Sequence, residues 1–175
     1  DGRYDATLSD LAALGVVVTL DASAPSANPP PHWPFARAAA ASAATLGMRV
    51  STSTPAPIHL VSIITSAAQD AVVQQSLRIE LAEGVEAALV HHRIGEHGNS
   101  AFVNLWRDLV LADRATLRWV EIADEEERAS VVIGTRAVLG ASARFELGEV
   151  AAGAALYRHD LDATLAGEQA ELIVR

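Results

Sequence analysis

The stretch Ala115-Thr116-Leu117 decides the fold, because the same triplet, Ala-x-(Leu/Phe), recurs through the second half of the chain. The other copies are Ala87-Ala88-Leu89, Ala143-Arg144-Phe145 and Ala170-Glu171-Leu172. Successive copies lie 28, 28 and 27 residues apart, and a short turn-like stretch precedes each one. Self-similarity in this range is typical of stacked supersecondary units, none of which can bury its apolar face alone. The triplets therefore predict a repeat architecture.

Within each repeat a second set of apolar runs predicts a further strand. These runs are Leu77–Leu81, Val103–Leu109 and Ser130–Ile133. Apolar and polar residues alternate with the period of two that a strand requires. Since no helix-length segment lies between Leu77 and Arg175, a βαβ sheet is excluded. A β-solenoid and a sandwich of hairpins remain, and the constant period favours the solenoid. In a solenoid the apolar residues of the triplets stack in one internal column, formed by Leu89, Leu117, Phe145 and Leu172.

The predicted fold is mainly β, with a small α/β segment at residues 1–76 and a partial β-helix of about four coils at residues 77–175. The first part holds an exposed, proline-rich connector at 21–34 and a polar linker at 66–75. Its predicted strands are Leu14–Leu20, Met48–Val50 and Ile58–Thr65. The alanine-rich stretch from Trp33 to about Leu46 predicts a helix closed by Gly47.

The composition excludes several classes of protein. The net charge is -9 and the 13 basic residues, all arginine, are scattered, so nucleic-acid binding is not expected. The chain has no cysteine, hence no disulfide and no thiolate ligand, which fits a cytoplasmic protein. No apolar run reaches the ~20 residues needed to span a bilayer, and we expect no membrane association. The first residue is not Met and the last residues resemble a strand, which suggests a fragment of a longer protein.

Several stretches, in this order, resemble the SufB/SufD family of the SUF iron–sulfur cluster assembly machinery, and within it the SufD branch. The opening Asp1-Gly2-Arg3-Tyr4 with Leu8-Ser9-Asp10 resembles the first strand and turn that follow the family's helical part. Pro57–Val61 resembles the strand before the repeats, and Leu81–Ala87 resembles the turn that begins the β-helix. Later coils are similar at Phe102–Asn104, Ala115–Leu117, Gly153–His159 and Leu165–Glu168. The likeness is strongest from Ile79 to Arg175 and weakest from Asp21 to Ala56.

The resemblance implies a right-handed parallel β-helix that pairs with a SufB-like subunit and binds a SufC-like ATPase. In the family the cluster is thought to form where SufB and SufD meet, so an iron–sulfur cluster is expected only in the full complex. The family's helical N-terminal part, its later coils, its C-terminal helices and its proposed metal-coordinating histidine have no counterpart in these residues. The resemblance therefore implies a fold and a context, but no catalytic, cofactor-binding or metal-binding residue.

Histidines form the densest group of candidate ligands. His91 and His92 point to opposite faces of a strand, while His92 and His97 would converge with Glu96 to give too few ligands for a metal site. We interpret these histidines as surface-loop residues. His159, between Arg158 and Asp160, is interpreted as part of a solvated or cross-strand ion pair. The histidine at position 59 lies in an apolar strand and is expected either in the core or facing a partner.

Acidic and aromatic residues give weaker signals. The run from Ile122 to Arg128 carries four adjacent carboxylates and predicts a solvated loop between coils. Trp106 and Trp119 are expected to be packing residues. The alternative is an exposed Trp106 that anchors a partner subunit, because aromatic residues are enriched at the centres of interfaces.

Common enzyme fingerprints are absent from the sequence. The middle positions of the triplets, Ala88, Thr116, Arg144 and Glu171, share no chemistry and form no catalytic ladder. We therefore expect a noncatalytic scaffold subunit. The alternatives are a β-helix enzyme acting on polysaccharide and a self-associating structural solenoid, including a homodimer that pairs through exposed β edges.

Overall fold

The computed structural model describes residues 29–41 and 45–175, the backbone of a strand at 16–21, and the single residues Asp5 and Asp10. Five parts of the sequence that carry predictions lie outside the described residues: the opening at 1–4, Leu8 and Ser9, the first two residues of the strand predicted at Leu14, half of the predicted connector (22–28), and residues 42–44. The elements are β1 (Val16–Asp21), α1 (Pro34–Ala40), β2 (Thr45–Val50), β3 (Ile58–Ile64), β4 (Val72–Leu81), β5 (Glu86–Gly95), β6 (Phe102–Leu111), β7 (Thr116–Asp124), β8 (Ser130–Leu139), β9 (Arg144–Ala152), β10 (Leu156–Leu165) and β11 (Glu171–Val174).

The strands form two parallel sheets, which confirms the predicted β-solenoid. The first sheet has the order β1-β2-β4-β6-β8-β10, and the second has the order β11-β9-β7-β5-β3. Every pairing is parallel except that of β1 with β2, which closes one end of the first sheet. Because the chain alternates between the sheets, each coil contributes one strand to each. The stack begins before Leu77, since β2 and β3 already pair with β4 and β5.

Aliphatic side chains that alternate along the strands fill the space between the sheets. In β7, for example, Leu117, Trp119, Glu121 and Ala123 are buried, and the residues between them face outward. This period of two makes each strand bury one face. The largest buried cluster lies beside the short corners that lead from the first sheet to the second.

Those short corners set the register. Three of them contain four residues each, 82–85, 112–115 and 140–143, and the next contains five, 166–170. Each corner has one residue with positive φ: Gly84, Arg114, Ser142 and Gln169. Gly140 has no room for a side chain, because an added Cβ would lie 2.4 Å from Asp113 Oδ1 and 2.8 Å from its backbone nitrogen.

The predicted column is correct for three of its four members. Leu117 aligns with Phe145, and Phe145 aligns with Leu172, but Leu89 aligns with Trp119. The residue above Leu117 is Ala87. The triplet Ala87-Ala88-Leu89 is therefore shifted by two residues, because the long corner that follows β5 is longer than the one that follows β7. Counted from Ile63, Ile94, Asp124 and Ala152, which align through all four coils, these long corners contain 64–71, 95–101, 125–129 and 153–155.

The N-terminal predictions need three corrections. The helix ends at Ala40, and Leu46 and Gly47 belong to β2, where pairing with β1 and β4 outweighs the alanine-rich helical propensity. The predicted polar linker at 66–75 contains a 3₁₀ turn at Ser66–Ala68 and the first residues of β4. The strands predicted at Met48 and Ile58 are confirmed, although the first of them begins earlier, at Thr45.

Helix α1 covers the outer surface of the first sheet. Its buried residues Ala36 and Ala39 pack on Trp106, which is fully buried. Gly134 permits this approach, since an added Cβ would lie 3.2 Å from the Ala36 Cβ. Both tryptophans are packing residues as expected, Trp119 between the sheets and Trp106 beneath α1, so the alternative of Trp106 as an exposed anchor is wrong. Among the described residues no helix is both long and apolar enough to cross a membrane.

Replacing Phe145 with alanine tests the internal column. Phe145 is fully buried between Leu117 and Leu172, so the substitution leaves a cavity and should lower the free energy of unfolding by about 3–5 kcal/mol. Urea denaturation measures this change. The control is Val150→Ala at an exposed outward position, which should change stability by less than ~1 kcal/mol. Equal effects of the two substitutions would contradict the assigned column.

Candidate functional site

A layer of ionisable side chains crosses the interior of the solenoid. It separates the large apolar cluster beside the short corners from a smaller one that contains Val103, Val131 and Ile133. The charged or polar residues buried in this layer are His91, Arg93, Arg107, Glu121, Glu125 and Thr135. Burying a charge costs free energy unless the charge is paired, so the stability of the layer depends on the contacts within it.

Glu121 is the centre of the layer. Its Oε1 accepts a hydrogen bond from Arg107 Nη2 at 2.6 Å, and its Oε2 accepts one from Trp119 Nε1 at 3.1 Å. The Arg107 guanidinium also lies over the Trp119 ring, 4.7 Å from the ring centre. The side chains of Arg107 and Glu121 are 1% and 0% exposed, so this pair is withdrawn from water.

His91 joins the pair from β5. Its Nδ1 lies 3.2 Å from Glu121 Oε2 and 3.1 Å from Arg107 Nη2. The tautomer of the ring decides whether Nδ1 donates to the carboxylate or accepts from the guanidinium. Its other nitrogen, Nε2, is 2.9 Å from Ser62 Oγ. His91 thus links the charged pair to the neighbouring coil.

Arg93 and Glu125 form a second buried pair beside the first. Nη2 of Arg93 donates to Glu125 Oε1, and Nη1 lies 3.8 Å from Glu121 Oε1. The guanidinium is also 5.9 Å from the ring centre of Tyr157. Among the residues that the structure describes, Nη1 of Arg93 and Oε2 of Glu125 find no hydrogen-bond partner.

The layer continues to the last described coil. Nδ1 of His159 lies 2.5 Å from Glu149 Oε2, and this contact connects the two sheets. Nε2 of the same ring lies 2.8 Å from Thr135 Oγ1. Glu149 aligns with Glu121 in the second sheet. The side chains of His159 and Glu149 are only partly buried, since no described coil covers them. The ionisable layer therefore runs along the solenoid from Ser62 in β3 to His159 in β10.

Burial and the paired charges move several pKa values in the layer. Burial is the main cause of the lowered pKa of His91, and the nearby Arg107 adds to it. For Glu121, burial disfavours the charged form, but Arg107 and His91 outweigh it and the pKa falls well below its usual range. Burial raises the pKa of Glu125 despite its contact with Arg93. At neutral pH the centre of the layer is thus an arginine–glutamate pair beside a neutral histidine.

The predicted locations of His91, His92 and His97 are only partly correct. His91 and His92 do face opposite sides of β5, but His91 is buried, which corrects its interpretation as a surface-loop residue. The half-buried His92 lies on the strand itself and also is not a loop residue. His97 lies in a corner, 99% exposed, with its Nδ1 3.3 Å from Glu126 Oε2.

Three other interpretations also change. His159 turns inward, so its solvated interpretation is wrong, while its cross-strand interpretation agrees with the contact to Glu149. Arg158 and Asp160 form a separate ion pair on the outer surface. His59 is exposed on β3, so its core interpretation is wrong and the partner-facing one stays a prediction. The acidic run is not a solvated loop throughout, because Ile122–Asp124 belongs to β7 and Glu125 is buried against Arg93.

Four residues of the layer were not recognised from the sequence as one cluster: Arg93, Arg107, Glu121 and Glu149. The signal that could have found them is the parity of the strands. Glu121 continues the inward series of Leu117 and Trp119, and Arg107 stands between the inward-facing Leu105 and Leu109. Charged residues in such positions resemble the solvated face of a strand until the register of the second sheet is known.

The layer is built to hold charge and protons, but it offers little space for a substrate. The central side chains are almost completely inaccessible, and apolar clusters flank them on both sides. Within the described residues no group of three or more His, Asp or Glu side chains is placed to hold a metal ion, and the sequence contains no cysteine. At neutral pH the layer holds its charge as fixed ion pairs, since the lowered pKa of Glu121 keeps its carboxylate ionised beside Arg107.

Comparison with known families agrees with this architecture. Residues 63–175, well over half of the chain, match the family described as "SUF system FeS cluster assembly, SufBD core domain". The chain belongs to the SufBD core domain family. The resemblance to the SufB/SufD family is thereby confirmed, and the family connects the chain with iron–sulfur cluster assembly by the SUF system. The match begins near the end of β3, so the SufBD core domain of this chain includes β4 to β11 and the whole central charged pair. No curated protein matches the chain.

Removing one partner of the central pair should be more damaging than removing both. Arg107→Met leaves the Glu121 carboxylate buried without its guanidinium, which should cost about 3–5 kcal/mol in the free energy of unfolding. Arg107→Met with Glu121→Met should recover part of that loss, since no charge remains unpaired. Arg114→Met removes an exposed ion pair with Glu83 and should cost less than ~1 kcal/mol. A double variant less stable than either single variant would contradict the assigned pairing.

On acidification, the titration of His91 and Glu121 should lower the stability of the SufBD core domain, whereas the raised pKa of Glu125 acts in the opposite direction. The pKa values of His91 and Glu121 are lower in the folded protein than in the unfolded chain. Each group therefore stabilises the fold above its unfolded pKa, near 6.5 for His91 and 4.5 for Glu121, and this contribution is lost as the pH falls below it.

Urea denaturation between pH 7.5 and 5 isolates the histidine. His91→Gln should flatten the decline in stability below pH 6.5, where one such histidine contributes a slope of up to about 1.4 kcal/mol per pH unit. The control is His97→Gln, which removes a fully exposed ring and should leave the slope unchanged. A slope in the His91 variant as steep as that of the unmodified chain would assign the effect to other groups.

Proposed function

We propose that this chain is a noncatalytic scaffold subunit of the SUF machinery, of the SufD type, which works in the cytoplasm with a SufB-like subunit and a SufC-like ATPase. The observation that carries the proposal is the SufBD core domain match over stacked coils that the structure also contains. The SufD type rests on the sequence resemblance, including Leu81–Ala87 in the first short corner of the matched region.

The noncatalytic role is supported by how the charged groups are used. On the outward faces of the two sheets, three carboxylates are each paired with an arginine: those of Glu80, Asp108 and Glu146. Inside the solenoid, Glu121 and Glu125 are buried in ion pairs. A glycosidase needs two carboxyl groups that face a sugar across an accessible cleft, and the described residues present no such arrangement. The polysaccharide alternative therefore has no feature in its favour.

The iron–sulfur cluster enters the proposal as cargo of the complex. Clusters are held mainly by cysteine thiolates, and this chain has none. A scaffold of this composition would position or support a partner that carries the cluster ligands. The ionisable layer would then give the core a fixed geometry, a role that buried polar groups have in some proteins.

Co-purification tests the partners. The chain, tagged and co-expressed with the SufB-like and SufC-like proteins of the same genome, should retain both through affinity and size-exclusion chromatography. A solenoid of similar size and charge from another family is the control. If the chain purifies alone while the two other proteins still associate with each other, the scaffold proposal fails. Release of sugar from a polysaccharide panel would instead support the enzyme alternative.

Iron binding distinguishes a scaffold from a cluster carrier. After anaerobic reconstitution with iron and sulfide, the isolated chain should hold no stoichiometric iron, because it lacks thiolate ligands. Iron analysis and the visible absorbance spectrum after desalting measure this. A cluster band that survives desalting would show that the chain itself binds a cluster.

A further inference from the structure

Part of the outer surface of the second sheet is aliphatic, although His59 and His92 also lie on it. Five exposed large aliphatic residues lie on it, and we name them together the aliphatic face: Val61, Ile63, Val120, Ile122 and Val150. They come from three strands but occupy neighbouring positions, since Val61 aligns through His92 with Ile122, and Ile122 aligns with Val150. Contiguous exposed apolar patches on soluble proteins often mark interaction sites.

The aliphatic face is flat and open. Its side chains are all β-branched and stand in register on β3, β7 and β9, with β5 between β3 and β7. Beside Val120 lies Gly148, where an added Cβ would meet no atom within 4 Å. Nothing from the described residues projects over this area, so a partner could approach the backbone closely there.

The opposite sheet shows what covers such a surface in this protein. There, α1 lies over Trp106 and buries it with Ala36 and Ala39. Beside the covered area the surface carries ion pairs, with Asp108 between Arg78 and Arg136 on neighbouring strands. The aliphatic face has the apolar character of the covered area but no helix of the described residues on it.

The size of the face favours a helix over a second copy of the chain. Four strands about 4.8 Å apart, with three outward positions roughly 6.8 Å apart on each, span an area on the order of 400 Å². A stable dimer needs about 800 Å² on each partner, so this face alone is too small for one. A helix of about 13 residues is roughly 20 Å long and matches the face.

The charged residues at the border of the aliphatic face indicate which kind of helix would bind there. At the carboxyl ends of these strands the face is bordered by Asp124, Glu96 and Glu127, all exposed, with Arg128 as the nearest arginine in the sequence. At the opposite border, Arg144 lies between Glu146 and Glu171 and is paired with both, so these two carboxylates are partly neutralised. A second copy of this chain, with its net charge of -9 and no lysine, would be repelled by the acidic border.

We infer that the aliphatic face docks an amphipathic α-helix of a partner protein, with aliphatic side chains on the face and basic side chains along the border formed by Asp124, Glu96 and Glu127. The helix would lie on the second sheet as α1 lies on the first. This surface is independent of the proposed function, and its test requires no SUF component.

Two synthetic peptides of 16 residues test the inference on the full chain. Both carry the same leucine and alanine stripe, and the flanking positions are lysine in one and glutamate in the other. The lysine peptide should bind at least tenfold more tightly by calorimetry at 0.1 M salt, and this preference should shrink when Asp124→Asn and Glu127→Gln are combined. Equal affinity for the two peptides, or no binding of either, would overturn the inference.

Variants of the face locate the binding. Val61→Thr, Val120→Thr and Val150→Thr together keep β-branched side chains at exposed positions and should weaken the lysine peptide at least tenfold. Val72→Thr makes the same change at an exposed valine on the other sheet and should alter affinity less than twofold. Unchanged binding by the triple variant would overturn the assignment. So would sedimentation that shows a dimer of the unmodified chain which the triple variant loses, since the occupant would then be a second copy.

Discussion

The in-register stacking of parallel strands is the constraint on which the rest of this protein depends. Each inward side chain lies above and below its counterparts in the neighbouring coils, as Leu117 lies between Ala87 and Phe145. A shift of one residue would turn every apolar side chain of a coil outward. The short corners maintain the register, because they have nearly constant length and a positive φ at one position in each. Both the apolar clusters and the ionisable layer follow from that alignment.

The same alignment makes a buried ionic layer possible. Arg107 from one sheet and Glu121 from the other meet only because their coils are stacked correctly, and His91 reaches them from the coil before. Such a layer contributes little net stability compared with apolar packing, yet any arrangement that separates its members leaves a charge buried without a partner. The layer therefore disfavours misaligned coils more than it stabilises the correct one.

Sequence patterns predicted the repeat region well and the site poorly, for physical reasons. The column from Leu117 to Leu172 follows from local alternation and spacing, which the sequence carries directly. The position of Leu89 depends on two additional residues in the corner after Ile94, and local pattern cannot show which of the residues in that corner are additional. The helix predicted to reach Leu46 failed because strand pairing with β1 and β4 is non-local. Glu121 and Arg107 look like surface residues until both sheets are placed together.

The long corners differ from one coil to the next, with 64–71, 95–101, 125–129 and 153–155 between aligned positions. A solenoid with identical coils could exchange one coil for its neighbour, or swap coils between two molecules, at little cost. Here a displaced coil would meet a gap that its connecting segment either cannot bridge or overfills. Because the corner length decreases from coil to coil, each coil fits only one position in the stack. The corner lengths therefore direct each newly formed coil to that position during folding.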